Sequence, residues 1–340
     1  MLNSSLYVDD LYYGSDTIED ACRLSTDAVN IFKDAGMDLR KLKSNSEELN
    51  SLWIEKGHKV RLTWESKLLG MIWISETDAI KLNCAFLNKN LDTISEATKR
   101  IILQTVASDY DPIGVSQPFI MKMKILLQNI WTLGLDWDEA LPSQIKNEWI
   151  LWRSELNELE RMSLPRKYFK GCEKSGVSLR MLADASPKAY GAVAYFRYLH
   201  DKKEKDNCTS FIAAKGRVAP LKPLTVPRLE LMAALVAAKL AKYLTGMFPE
   251  LCTKTFLWSD SQITLHCIKG NSRNWKPFVA NRVSEIQTLT DPEKWFHCSG
   301  KENPVDLLSR CESAVNLVKS SLWSHGPSWL SLSECDWPMK

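Results

Sequence analysis

Apolar and polar positions divide the chain into segments of distinct character. From residue 178 onward the order reads strand, strand, strand, helix, strand, helices, strand, helix. Leu179, Met181 and Leu182 form an apolar run that closes on a lone acid, Asp184. The segment Ala185-Ser186-Pro187-Lys188 has turn chemistry, and residues 191–196 are again apolar and extended. A third strand, Ser210-Phe211-Ile212-Ala213-Ala214, follows a solvated turn containing Lys202, Lys203, Glu204 and Lys205. A helix then runs from Pro227, a favoured first-turn residue, to near Gly246. Its face Leu229, Met232, Val236, Leu240, Tyr243 is predicted to point into the core. Glu230 heads a second stripe of Ala234, Ala237, Ala238 and Ala241 on the same side of the helix. An alanine stripe lets a helix approach a sheet closely, which would set the Glu230 carboxylate against the strand ends. The fourth strand ends in Ser259-Asp260 and is followed by a helix through Ile268, for which Ser261 can serve as N-cap. A helix over 278–289 and a fifth strand over 294–298 precede Gly300 to Arg310, where Asp306 opens the last helix.

Upstream, Leu6-Tyr7-Val8-Asp9-Asp10-Leu11-Tyr12-Tyr13-Gly14 places two acids between β-prone residues and predicts a hairpin with Asp9 and Asp10 at or near its tip. Residues 16–35 read as an amphipathic helix, with Ile18, Ala21, Leu24, Ala28, Ile31 and Phe32 on one side. Leu68-Leu69-Gly70-Met71-Ile72-Trp73 reads as a strand. Residues 76–165 look mainly helical, with helices over 92–107, 117–134 and 143–162 and a break at Asp111-Pro112-Ile113-Gly114. In the third of these, Ile145, Trp149, Trp152, Leu156 and Leu159 recur at helical spacing, and core packing is the simplest role for each. Leu164-Pro165-Arg166-Lys167, Gly171 and Gly176 mark a linker.

Composition narrows the function classes. The chain has 340 residues, 45% of them hydrophobic and 25% charged, enough for two or three domains with real cores. A net charge of +3 and a pI of about 8.3 permit a polyanionic partner without requiring one. No run of about eighteen apolar residues exists, so no membrane span is expected. The start MLNSSLYVDD has no signal-peptide pattern. Nine cysteines lack any C-x-x-C pair and five histidines lack any H-x-x-x-H pair, which argues against zinc. An odd, scattered set of thiols suits an intracellular protein, cytoplasmic or nuclear.

Taken singly, each acid has an ordinary explanation as a cap or a helix-dipole partner. Taken together, Asp184, Asp260 and Asp306 stand at element ends, and Glu230 stands on the alanine-lined helix. The strings L-A-D-A-S, P-R-L-E-L-x-A-A, W-S-D-S and G-K-E-N-P-x-D-L-x-S-R, in that order, resemble the ribonuclease H domain of BEL/Pao-type long-terminal-repeat retrotransposons. Y-V-D-D at residues 7–10, L-R-K-x-x-S-N from Leu39 and V-A-S-x-x-D-P-x-G from Val106 are similar to the reverse transcriptase region of the same elements.

That resemblance implies an α/β multidomain chain. A truncated reverse transcriptase palm would occupy 1–75 and a helical thumb or connection region 76–170. A ribonuclease H-like domain, a mixed five-stranded sheet with flanking helices, would span 175–312, and a tail toward an integrase region 313–340. Asp184, Glu230, Asp260 and Asp306 would be the catalytic, metal-binding acids. Asp184 and Asp260 would be central, with Glu230 on one ion and Asp306 on the other. Oxygen-only ligands select two Mg²⁺ or Mn²⁺ ions, and the implied substrate is the RNA strand of an RNA–DNA hybrid. Asp9 and Asp10 would be remnant polymerase metal ligands. Only eight residues precede Asp9, so partner acids and fingers are missing in cis and polymerase activity is not expected. Asn271, Arg273 and Lys276, in a loop mixing basic, amide and aromatic groups, are candidates to hold the hybrid backbone. Other retroelement polyprotein products are candidate partners. His297 is expected to be a packed strand residue. The competing reading is a catalytically inactive nucleic-acid-binding remnant of a decayed retroelement.

Overall fold

The computed structural model describes residues 5–84, 97–169, 176–198, 208–252 and 254–338. The chain divides into two compact units, residues 1–80 and 81–340. The basic turn at 202–205, Gly171, Cys172 and the start of the helix expected over 92–107 lie outside the described residues.

In the first unit Leu6–Tyr7 and Asp10–Leu11 pair antiparallel, with Tyr7 opposite Asp10. Val8 and Asp9 form the turn, and Val8 adopts φ +56°, a conformation that strains a β-branched residue. Both acids are exposed. Helices Ile18–Asp34 and Glu47–Glu55 are capped by the Thr17 and Ser46 side chains and pack through Cys22, Leu49 and Trp53. The Trp53 indole donates to Ser25 Oγ at 2.7 Å. The stretch at 68–73 is not one strand. Leu69 and Gly70 have φ +48° and +83° and turn the chain between Glu65–Leu68 and Met71–Ile74. Two consecutive left-handed residues match the twist of a tight hairpin.

The second unit is built on a five-stranded sheet: β1 Ser178–Ala185, β2 Ala189–Tyr198, β3 Cys208–Val218, β4 Lys254–Ser259 and β5 Trp295–His297. The strand order is β5-β4-β1-β2-β3. Strands β1, β2 and β3 form an antiparallel meander, whereas β4 runs parallel to both β1 and β5. This mixed topology, with helices on the sheet, is a ribonuclease H-like α/β fold.

Alternation along β1 assigns its two faces. Leu179, Met181 and Ala183 join the core beneath the long helix, and Arg180, Leu182 and Asp184 point the other way. The long helix, Val226–Met247, spans the first face. Ala234, Ala237, Ala238 and Ala241 are at most 2% exposed, as the stripe predicts. Tyr243 departs from expectation and is 63% exposed. Leu244, one turn on from Leu240, takes the core position and rotates Tyr243 outward.

On the other face lies a six-residue helix, Val305–Arg310, close against β1 and β2. Two glycines permit that approach. A Cβ on Gly191 or Gly216 would stand 2.9 or 2.8 Å from Leu308 Cδ2. Helices Lys99–Ser108 and Gln117–Thr132 belong to the same unit, and the latter packs on β3 and on Val305–Arg310. The helix expected over 143–162 is two, Ser143–Ser154 and Leu156–Leu159, with Trp149, Trp152, Leu156 and Leu159 buried. Residues 313–338 finish covering the second face. The Trp329 ring lies tilted against Trp258 at 5.1 Å and Trp337 meets Phe256 edge-on at 5.5 Å.

Candidate metal centre

The register places the acids. Parallel pairing sets Ser259 of β4 beside Ala183 of β1, so Asp260 and Asp184 leave neighbouring strands at the same end. Asp184 is 4% exposed. Burial, then the neighbouring Asp260 charge, push its carboxyl up to about 6. Burial and then Glu230 push the Asp260 carboxyl up as well, and the Asp184 side chain lies within hydrogen-bonding reach of it. The Asp306 charge acts on both. The four sequence-predicted acids therefore share one electrostatic neighbourhood.

Their partners differ. Ser309 Oγ donates to Asp184 Oδ2 at 2.6 Å. Ser261 Oγ donates to Glu230 Oε2 at 2.5 Å and accepts from Thr264 N, so Ser261 caps the helix Gln262–Lys269 as expected and leaves Asp260 free of that task. Asp306 pairs with Arg310, one turn along the same helix. Asp306 is the second residue of that helix, not its cap, and Asn303 Oδ1 accepts from Val305 N instead. The Asn303 amide also donates to Ala183 O at 2.9 Å, tying this loop to β1. Asp260 Oδ1 is buried and has no hydrogen-bond partner.

The surroundings keep the pocket tight. A Cβ on Gly300 would stand 3.0 Å from Asp260 Oδ2. His297 lies in β5, as predicted, with Nε2 3.2 Å from Asp260 O. The buried Cys298 thiol is pushed up by burial and by the Asp260 and Asp184 charges, so it stays protonated. Among the described residues, no three His, Cys, Asp or Glu side chains stand close enough together to grip one ion. Glu230 and Asp306 are instead engaged by Ser261 and Arg310. The donor set nevertheless suits a hard cation: oxygen ligands, a buried acid adjoining a half-buried one, and a buried carboxylate oxygen without a partner.

The candidate nucleic-acid residues lie on a loop and a short 3₁₀ turn. Asn271 Oδ1 accepts from Arg273 N at 3.0 Å, so this side chain shapes the turn, while Arg273 and Lys276 are exposed. Sequence reasoning missed Ser309, Ser186 and Asn303. A signal for Ser309 existed in the string D-L-L-S-R, where the serine follows Asp306 by three positions and so shares its side of the helix. Among the described residues every cysteine is a free thiol, and no helix is long and apolar enough to cross a membrane.

Comparison with known proteins adds the family. No curated protein matches the chain. Two solved foamy viral protease-reverse transcriptase structures, one the dRH form, both in complex with double-stranded DNA, share 17% identity at a TM-score of 0.48. They align over 88% and 87% of this chain and 47% and 54% of theirs, so the chain spans about half their length. RNase H1 from Halobacterium salinarum aligns over 37% of this chain and 86% of its own, with 14% identity and a TM-score of 0.23. The family model described as Pao retrotransposon-like RNaseH-like domain matches residues 98–261, which include Asp184, Glu230 and Asp260 and stop short of Asp306. Residues 98–261, just under half of the chain, thus match a Pao retrotransposon-like RNaseH-like domain.

Proposed function

We propose that this domain hydrolyses the RNA strand of RNA–DNA hybrids with two Mg²⁺ or Mn²⁺ ions held by Asp184, Glu230, Asp260 and Asp306. The observation that carries this reading is the Asp184–Asp260 pair, a buried acid beside a half-buried one whose Oδ1 is itself buried and unpartnered. Such a pair repels itself when ionised, and a divalent cation relieves both the repulsion and the lost hydration. Bound there, the ions would supply an activated water and stabilise the leaving 3′-oxygen of a phosphodiester. The chain's own contribution is positioning. Strands β1 and β4 present their acids from adjoining ends, Ser261 orients Glu230, and the Gly300 loop limits the space beside Asp260. Asn271, Arg273 and Lys276 are proposed to meet the hybrid's phosphates. Asp9 and Asp10 are proposed to be polymerase ligands that have no role in this reaction.

The test is cleavage of a labelled RNA–DNA hybrid by the purified chain with Mg²⁺ or Mn²⁺. Asp260→Asn is expected to lower the rate at least about 100-fold, a loss of roughly 2.7 kcal/mol of transition-state stabilisation. Equal rates in the two proteins would overturn the assignment. Salt-sensitive binding of the hybrid without any cleavage would favour a non-enzymatic remnant.

A further inference from the structure

Ser309 is not among the acids, yet it touches the most buried of them. It is fully buried, on the face of the helix Val305–Arg310 that meets the sheet. Its hydroxyl donates to Asp184 Oδ2 at 2.6 Å, and its carbonyl accepts from Ser186 Oγ at 2.5 Å. Ser186 stands in the β1–β2 turn, where the same oxygen accepts from Ala189 N at 3.2 Å and Lys188 N at 3.1 Å. The helix carrying Asp306 is thus bonded at one residue both to Asp184 and to the turn beyond it.

Two consequences follow from this geometry. A carboxylate at a strand end can rotate, and in a buried place its orientation is set by whichever donor it finds. Ser309 occupies Oδ2, which leaves the other oxygen for Asp260 or a cation. The same bond fixes the distance between the Asp184 strand and the Asp306 helix, an element of only six residues. Substituting the hydroxyl away would leave a buried carboxylate oxygen without a donor and free the acid to turn.

We propose that Ser309 is a positioning residue, holding the Asp184 carboxylate and the Asp306 helix in the arrangement that receives a divalent cation. This rests on the metal-holding reading given above. Partners that orient metal ligands are typically worth about 10- to 100-fold in affinity.

The experiment is Mn²⁺ binding to the full chain by isothermal titration calorimetry, without nucleic acid, with thermal melting as the folding control. Ser309→Ala is expected to weaken Mn²⁺ binding by about 10-fold or more, and Ser309→Thr, which keeps the donor, to restore most of it. Unchanged affinity in Ser309→Ala would overturn the proposal. So would equal weakening in Ser309→Thr with a native melting temperature, since shape and not the donor would then matter. A wild-type chain that binds no Mn²⁺ would overturn the metal-holding reading and this inference together. Wild-type binding without hybrid cleavage would sink the nuclease reading alone and leave the Ser309 comparison decisive.

Discussion

At the scale of single residues, the most strongly shifted acid outside the candidate metal centre is Asp109. Burial, then the Asp111 charge, push its carboxyl up to about 7, and its bond from Ser116 Oγ at 3.1 Å competes with a shorter one from the same hydroxyl to Asp111 at 2.7 Å. A carboxyl raised in the folded state binds its proton there more tightly than in the unfolded chain. Its contribution to stability is therefore complete below about pH 4 and is lost as pH rises toward about 7. Asp109→Asn is expected to shrink the stability difference between pH 4.5 and pH 7.5, both values falling in or near that window. Urea unfolding at several pH values measures this. An unchanged slope would mean that Asp109 is not buried in solution. The four candidate acids could be singled out because Asp184 and Asp260 close apolar runs, Glu230 heads an alanine stripe and Asp306 opens a helix. Asn303 was not, because an asparagine before a helix has the same sequence signature whether it caps locally or reaches a residue more than a hundred positions away, and for Ser309 the string shows which side of the helix it shares with Asp306 but not that it reaches Asp184.

At the scale of elements, two glycines decide how near a helix can come to the sheet. Gly191 faces Asp184 across β1 and β2 and Gly216 across β2 and β3, so the three lie in one row. Leu308 fills the hollow above that row. Gly191→Ala would bring a Cβ to 2.6 Å from Lys215 O and 2.9 Å from Leu308 Cδ2. Because one of those neighbours is backbone, a cost of about 1–3 kcal/mol is expected. The short helix should also shift, lowering Mn²⁺ affinity along with the midpoint of chemical unfolding. Gly216→Ala meets only side chains, Met121 and Leu308, and is expected to cost less. Most strands and the long helix were legible from periodicity. The exceptions have local causes. Leu69-Gly70 turned a presumed strand into a hairpin through two left-handed residues, and a one-residue step around the helix decided whether Tyr243 or Leu244 met the core.

At the scale of the whole chain, the second unit includes more than its sheet. Residues 313–338 carry three tryptophans, Trp323, Trp329 and Trp337, each at most 6% exposed. Arg197 donates to Leu330 O and Leu332 O, and the buried Arg180 guanidinium lies 4.1 Å from the ring centroids of both Phe256 and Trp337. Burial, then Arg197, push Arg180 down to about 9. Trp337→Ala would open that face and expose a poorly partnered cation, and a loss of about 3–5 kcal/mol is expected from chemical unfolding. This packing was not readable in advance. Tryptophans flanking a Gly-Pro break look the same whether they lead to another domain or fold back. Ordinary core patterning was readable because it is local, whereas the closing of this face depends on contacts across the chain. The acids obey the same long-range logic: Asp184 and Asp306 are neighbours in space, yet the second is made long after the first. On a ribosome, the strand ending at Asp184 emerges well before Ser309, its donor, exists. A nascent chain would pass through a stage holding three of the acids without the helix that steadies them. Under the proposed activity, cutting power would appear only once the segment carrying Asp306 and Ser309 has left the ribosome and docked on the sheet.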